Sequence, residues 1–119
     1  MKIESYENLI VWQKSMDLVI ESYKLTEAFP KTETYGLTSQ IRRATVSIPS
    51  NIAEGSRHGS RKDFRHFLLN AYGSGAELET QLKIAKRLSF GKEFDYSKAD
   101  GLLNEVMRML NKMTNELNV

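Results

Sequence analysis

The segment from Gln40 to Gly55 constrains the fold more than any other, because it carries two stripes at helical spacing, side by side. Leu37, Ile41, Ala44, Ile48 and Ile52 make an apolar stripe. Gln40, Arg43, Ser47, Asn51 and Glu54 make a polar one, each member close to one position ahead of an apolar neighbour. Wound at about 100° per residue, the rows are adjacent, so polar groups border the buried face instead of pointing to solvent. Pro49 falls inside this pattern. In a helix interior it removes one backbone hydrogen bond and crowds the Thr45 carbonyl, at about 3 kcal/mol. Both stripes nevertheless stay in phase to Ile52 and Glu54, which predicts one kinked helix over about 33–54. Thr32 would cap it, Gly55 would end it, and a hydroxyl of Thr45, Ser47 or Ser50 would sit near the freed carbonyl.

Three further helices follow from the same reasoning. The first spans about 8–28, with Leu9, Trp12, Met16, Val19, Ile20 and Tyr23 on one face, read as the core face. Phe29-Pro30 stops it, since the residue before proline is pushed out of the α region. The third spans about 61–88, capped by Ser60 with Asp63 three positions on. Its core face is Phe64, Leu68, Ala71, Gly75, Leu78, Leu82 and Ala85, and Gly73-Ser74-Gly75 inside it reads as a close helix–helix approach. The fourth spans about 96–117, capped by Asp95, with Ala99, Leu102, Leu103, Val106, Met109, Leu110, Met113 and Leu117 recurring on one side. The connections are short, which makes sequential helices antiparallel neighbours. The predicted fold is all-α: an antiparallel up-down-up-down four-helix bundle, with residues 1–119 as a single domain.

Composition narrows the chemistry. The chain has no Cys, which excludes disulfides and thiolate metal sites. No apolar run approaches the roughly 18 residues of a membrane helix, and Met1–Glu7 holds no continuous apolar stretch of the signal-peptide kind, so a cytoplasmic protein is expected. The net charge of +2 is unevenly spread: residues 31–66 hold seven Lys/Arg against three Asp/Glu, whereas 1–30 hold three against five. A local excess of this kind attracts anions even on a nearly neutral chain.

Its densest part is Arg57-His58-Gly59-Ser60-Arg61-Lys62-Asp63-Phe64-Arg65-His66, around the turn between the second and third helices. Cations suit the end of one helix but oppose the dipole at the start of the next, which points to an anionic partner such as phosphate. Arg57, Arg61, Lys62 and Arg65 are the candidate RNA or DNA contacts, with Arg42 next. The alternative is a solvated charged turn. Asp63-x-x-His66 and Glu54-x-x-x-His58 are poor matches to the paired Glu-x-x-His of di-iron bundles. No metal, cofactor or catalytic residue is expected, and the chain reads as non-enzymatic.

Folding the second helix back on the third opposes Ser47 to Asn70 and Gln40 to Glu77. This predicts a partly buried network of Gln40, Arg43, Ser47, Asn51, Glu77 and Gln81 around an Arg43–Glu77 ion pair that fixes helix register. Breaking such a pair by Arg43→Ala would cost about 3–5 kcal/mol. On the first helix, Val11, Leu18 and Leu25 recur every seven residues opposite the expected core face, and Val46 and Leu69 also point outward. The heptad row predicts a helix-mediated homo-oligomer interface. A scaffold presenting its surface to a partner protein is the alternative function.

Several of these segments carry a family resemblance. Leu9-x-x-Trp12-Gln13-Lys14, Phe29-Pro30-x-x-Glu33-x-Tyr35-Gly36-Leu37, Gln40-x-Arg42-Arg43-Ala44, Ser47-x-Pro49-Ser50-Asn51-Ile52-Ala53-Glu54-Gly55 and Gly73-Ser74-x-x-Glu77-Leu78 together resemble the bacterial four-helix bundle proteins, also called 23S rRNA intervening-sequence proteins. Gly75 departs from the pattern, where a bulkier residue is expected. The resemblance implies an antiparallel bundle assembling into a ring, a homopentamer. Some members of that family are encoded within insertions in large-subunit rRNA genes. The family is also similar to the accessory variability determinant of diversity-generating retroelements, a basic pentamer that binds nucleic acid and a reverse transcriptase. That similarity implies nucleic-acid binding or a polymerase partner here, and brings no catalytic residues.

Overall fold

A computed structural model describes residues 5–117; the Met1–Glu4 part of the N-terminal segment considered above lies outside the described residues. After a 3-10 turn at Tyr6–Asn8 come α1 (Ile10–Glu27), a second 3-10 turn at Lys31–Glu33, α2 (Leu37–Arg57), α3 (Arg61–Arg87) and α4 (Ser97–Glu116). Among the described residues no helix is long and apolar enough to cross a membrane.

Each helix packs on the next, and α4 returns to α1, while the diagonal pairs α1–α3 and α2–α4 do not approach. The direction of every contact follows from which residues meet. Tyr6 lies against Arg57 while Thr26 meets Arg42. Phe67 lies against Gly55 while Ser74 meets Ser47. Arg65 reaches Thr114 while Lys86 reaches Asp100. Ile10 shares a groove with Met113, and Lys24 shares another with Lys98. In each pair one number rises as the other falls, so every neighbour is antiparallel and the bundle runs up-down-up-down.

The expected boundaries of α3 hold, with the Ser60 hydroxyl accepting from the Asp63 N–H at 3.0 Å. Tyr96, not Asp95, is the N-cap residue of α4, but Asp95 one position earlier still covers the first N–H, accepting from Ser97 at 2.9 Å. The hydrogen bonds from Ser97, with Lys98 nearby, hold the Asp95 carboxyl below its ordinary pKa. This contact is therefore present above the usual carboxylate range and lost as falling pH protonates Asp95.

α2 starts later than expected. Thr32 does not cap it; the Glu33 carboxylate accepts from the Leu37 N–H at 3.0 Å, and a Cβ on Gly36 would meet that carboxylate at 2.9 Å. Pro49 sits buried inside a continuous helix, as expected. No expected hydroxyl bonds the freed carbonyl: Ser47 Oγ meets Ser74 Oγ, Ser50 Oγ donates to the Val46 carbonyl at 2.8 Å, and Thr45 Oγ1 is buried with no partner among the described residues. Gly55 does not stop α2. It is the point of closest approach to α3, where an added Cβ would lie 2.7 Å from Phe67 Cβ. The chain turns two residues beyond the end of α2, at Gly59, whose φ of +76° suits glycine. Gly75 plays the same part between α3 and α4, where a Cβ would overlap Met107 Sδ.

The face of α1 is only partly the one expected: Leu9 and Trp12 pack against the core, but Met16, Ile20 and Tyr23 lie exposed. Val11, Ser15, Leu18, Ser22 and Thr26 face the core, and Leu25 is partly buried against it. Leu18 is fully buried whereas Ile20 is 53% exposed. Val11, Leu18 and Leu25 are therefore core residues and not an oligomer interface. Hydroxyls make the inward face possible: Ser15 donates to the Trp12 carbonyl and Thr26 to the Ser22 carbonyl, each at 2.8 Å. So satisfied, these small side chains pack as apolar groups and let α2 approach. The face left outside carries Ile10, Met16, Ile20 and Tyr23.

Two predictions follow from this packing. Gly55→Ala meets Phe67 and lowers stability, overpacking of this kind costing about 1–3 kcal/mol. Gly73→Ala meets nothing within 4 Å and gains up to about 1 kcal/mol from helix propensity. Urea unfolding of the two variants should thus show opposite signs. Leu18→Ala should lose about 2–5 kcal/mol, while Ile20→Ala stays within about 0.5 kcal/mol in a monomeric preparation.

Candidate nucleic-acid interface

The α2–α3 turn gathers Arg57, Arg61, Lys62 and Arg65 at one end of the bundle, as the sequence suggests. The antiparallel register brings the last turn of α4 to the same end. Arg65 Nε donates to the Thr114 carbonyl at 3.0 Å, and Arg61 Nη2 donates to the Glu116 carbonyl at 3.4 Å. Both carbonyls belong to the last turn of α4, where the backbone carries unpaired acceptors and a partial negative charge. The unfavourable position of these arginines at the start of α3 is thus offset by the end of α4. A cation there does not by itself require an outside anion, which corrects the argument made from the turn alone.

The remaining cations are freer. Arg57 lies over the Tyr6 ring, with Cζ 5.6 Å from its centroid, and stays exposed. Lys62 is exposed, and neither Arg57 nor Lys62 has a carboxylate partner among the described residues. Acidic groups moderate the patch: Glu54 lies 4.0 Å from His58 Nε2, and Glu116 lies 4.0 Å from Lys112. His58 and His66 both pack beside the Phe67 ring, with centroid separations of 4.9 and 5.4 Å. Among the described residues no three ligand-type side chains gather into a possible metal site.

Arg42 is not part of this surface. Its Nε donates to Thr26 Oγ1 at 2.9 Å, Nη2 donates to the Tyr23 carbonyl at 3.4 Å, and Cζ lies 4.4 Å from the Tyr23 ring centroid. It binds the last turn of α1 as Arg61 and Arg65 bind that of α4.

The expected α2–α3 seam exists, one helical turn away from the predicted register and without its ion pair. Ser47 Oγ meets Ser74 Oγ at 2.8 Å in place of Asn70, and Asn51 Nδ2 donates to the Ser47 carbonyl and hydroxyl at 2.9 and 3.0 Å. Asn70, Arg43 and Glu77 are exposed. No Arg43–Glu77 salt bridge is found among the described residues. The close contact at Gly55 sets the register, and it opposes serine to serine where the sequence count opposed serine to asparagine. Gln40, Arg43, Ala44, Ser47, Ser74, Glu77 and Gln81 nevertheless line one groove. The loss expected for Arg43→Ala does not apply to so exposed a side chain.

Sequence reasoning missed the backbone acceptors of Thr114 and Glu116, Tyr6 beneath Arg57, and the outward apolar face of α1. The first was open to inference: antiparallel α3 and α4 place the beginning of one beside the end of the other.

Among solved structures, the fold is similar to that of a Bacteroides thetaiotaomicron VPI-5482 protein of unknown function from the S23 ribosomal protein family. The match covers 92% of this chain and 100% of that one at 21% identity, with a TM-score of 0.70. A comparison with curated proteins gives no match. The sequence profile described as "23S rRNA-intervening sequence protein" matches residues 7–112, nearly the whole bundle, and the chain belongs to that family.

Proposed function

We propose that this protein is a non-enzymatic, cytoplasmic, oligomeric bundle that binds RNA or DNA through backbone phosphates at the α2–α3 turn. The observation that carries the reading is the division of labour among four cations within residues 57–65. Arg61 and Arg65 are pinned by α4 carbonyls, while Arg57 and Lys62 beside them have no carboxylate partner among the described residues. Phosphate contacts of this kind give little sequence preference and strong salt dependence.

A second reading is favoured by a different observation. Met16, Ile20 and Tyr23 form an exposed apolar face on α1, with Ile10 exposed at its start, and Leu69, Tyr72 and Ile84 on α3 and Leu88 just past its end are exposed as well. Rows of this size favour contact with other protein. They support self-association, the ring implied by the family resemblance, and a scaffold role toward a partner such as a polymerase.

Two measurements test these readings. Binding to a single-stranded RNA and to a duplex DNA should weaken steeply as salt rises. Reversal of Arg57 and Lys62 to Glu should remove most of it, with the logarithmic salt slope falling by about two. Unchanged binding in that double variant would exclude this end as the interface, and no binding at low salt would favour the scaffold. For self-association, light scattering should show a multimer that Met16→Ser combined with Ile20→Ser dissociates while helical content is kept. A wild-type monomer at high concentration would end the oligomer reading.

A further inference from the structure

The groove between α2 and α3 is polar where a bundle groove is ordinarily oily. Of its lining residues only Ala44 is apolar, and it has a volume of about 360 Å³, toward the small end of the roughly 300–1,000 Å³ typical of ligand sites. Its groups are incompletely satisfied. Gln81 Oε1 is buried and accepts no hydrogen bond among the described residues, a state that buried polar atoms rarely tolerate. At the floor, Ser47 and Ser74 share one hydroxyl hydrogen between them, and Asn51 fills another site on Ser47. Two hydroxyls carry two hydrogens, so one donor is left over among the described hydrogen bonds.

The same groove carries one charge of each sign. Arg43 on α2 and Glu77 on α3 both line it, and they form no salt bridge with each other or with another described residue. A guanidinium offers a planar fork that matches a carboxylate, while the Glu77 carboxylate and Gln81 Oε1 both want a donor. Two opposite charges without a salt bridge, over a floor with one spare hydroxyl donor, suit a ligand that is itself bipolar.

We infer that this groove binds a small zwitterion of the α-amino-acid class. Its carboxylate sits on Arg43 with help from the free hydroxyl of the Ser47–Ser74 pair, and its ammonium sits on Glu77. Arg43 and Arg57 are fourteen residues apart on one helix, or about 21 Å. The site is therefore separate from the proposed nucleic-acid surface, and either can fail without the other.

The test is titration of the isotopically labelled full chain with the free standard amino acids, following the side-chain amide of Gln81 and the backbone amide of Ser74 by NMR. At least one amino acid should shift both signals saturably at millimolar concentration. Arg43→Gln and Glu77→Gln, both at exposed positions, should keep their circular dichroism and bind about tenfold more weakly, the loss of one charge-assisted contact. Acetate and methylamine, the two halves of the ligand, should each bind more weakly than the intact zwitterion to the wild-type protein, a comparison that needs no variant. Absence of a saturable shift with every amino acid overturns the inference and leaves an ordered water as the partner of Gln81. Equal binding of acetate overturns the zwitterion assignment, as does retention of full affinity in both variants.

Discussion

The contact on which the rest of the bundle depends is the close approach of α2 and α3 at Gly55. Phe67 Cβ occupies the space a side chain there would need, so the helices can meet in this register and not a turn to either side. From that point the Ser47–Ser74 pair and the Asn51 amide follow up the seam. In the other direction the chain reaches Gly59, turns, and enters α3 under the Ser60 cap. Two arginines of the first turns of α3 then fall beside the last turn of α4. A glycine that looked like a helix stop is the reason the helix runs on and packs.

The charge asymmetry of the chain takes on a physical meaning in this frame. Residues 31–66 hold the excess of cations, and three of them, Arg42, Arg61 and Arg65, donate to atoms in the last turns of α1 and α4. An antiparallel bundle places the end of one helix beside the beginning of another, so cations near helix starts can neutralise the carbonyl ends of their neighbours. Much of the local positive charge is therefore internal to the fold. A partner can draw on what remains, chiefly Arg57, Lys62 and the unbonded nitrogens of the pinned guanidiniums.

Three helices were legible because apolar spacing marks their buried faces: Ile41, Ile48 and Ile52 on α2, Leu68, Leu78 and Leu82 on α3, and Leu103, Val106 and Leu110 on α4 are all core residues. On α1 the same signal was right for Leu9 and Trp12, which pack against the core, and wrong for Met16, Ile20 and Tyr23. Its inward face alternates Val11 and Leu18 with Ser15, Ser22 and Thr26, and the Ser15 and Thr26 hydroxyls, bonded to their own helix, count as polar in sequence while packing as apolar groups; Ser22 Oγ is buried with no partner among the described residues. Its outward face holds the larger hydrophobes. The seam was legible as a set of residues but not in its pairing, because one turn of register separates Ser74 from Asn70. The free ends of Arg57 and Lys62 were open to inference from the turn; the pinning of Arg61 and Arg65 was not, since it uses backbone atoms that have no residue signature.

The exposed face of α1 bears directly on how copies of this chain can meet. α1 and α3 sit at opposite corners of the bundle and do not approach each other, so their exposed apolar rows point in different directions. A two-fold contact of α1 with α1 would cover one row and leave the other wet. A contact of α1 on one copy with α3 on the next covers both rows at every junction, and it is heterologous, so it propagates head to tail. Such a chain of contacts closes into a ring when the rotation per subunit divides a full turn, and otherwise grows as a filament. Any ring of these subunits would have to use such exposed apolar side chains, and not the heptad of Val11, Leu18 and Leu25, which the core has already consumed.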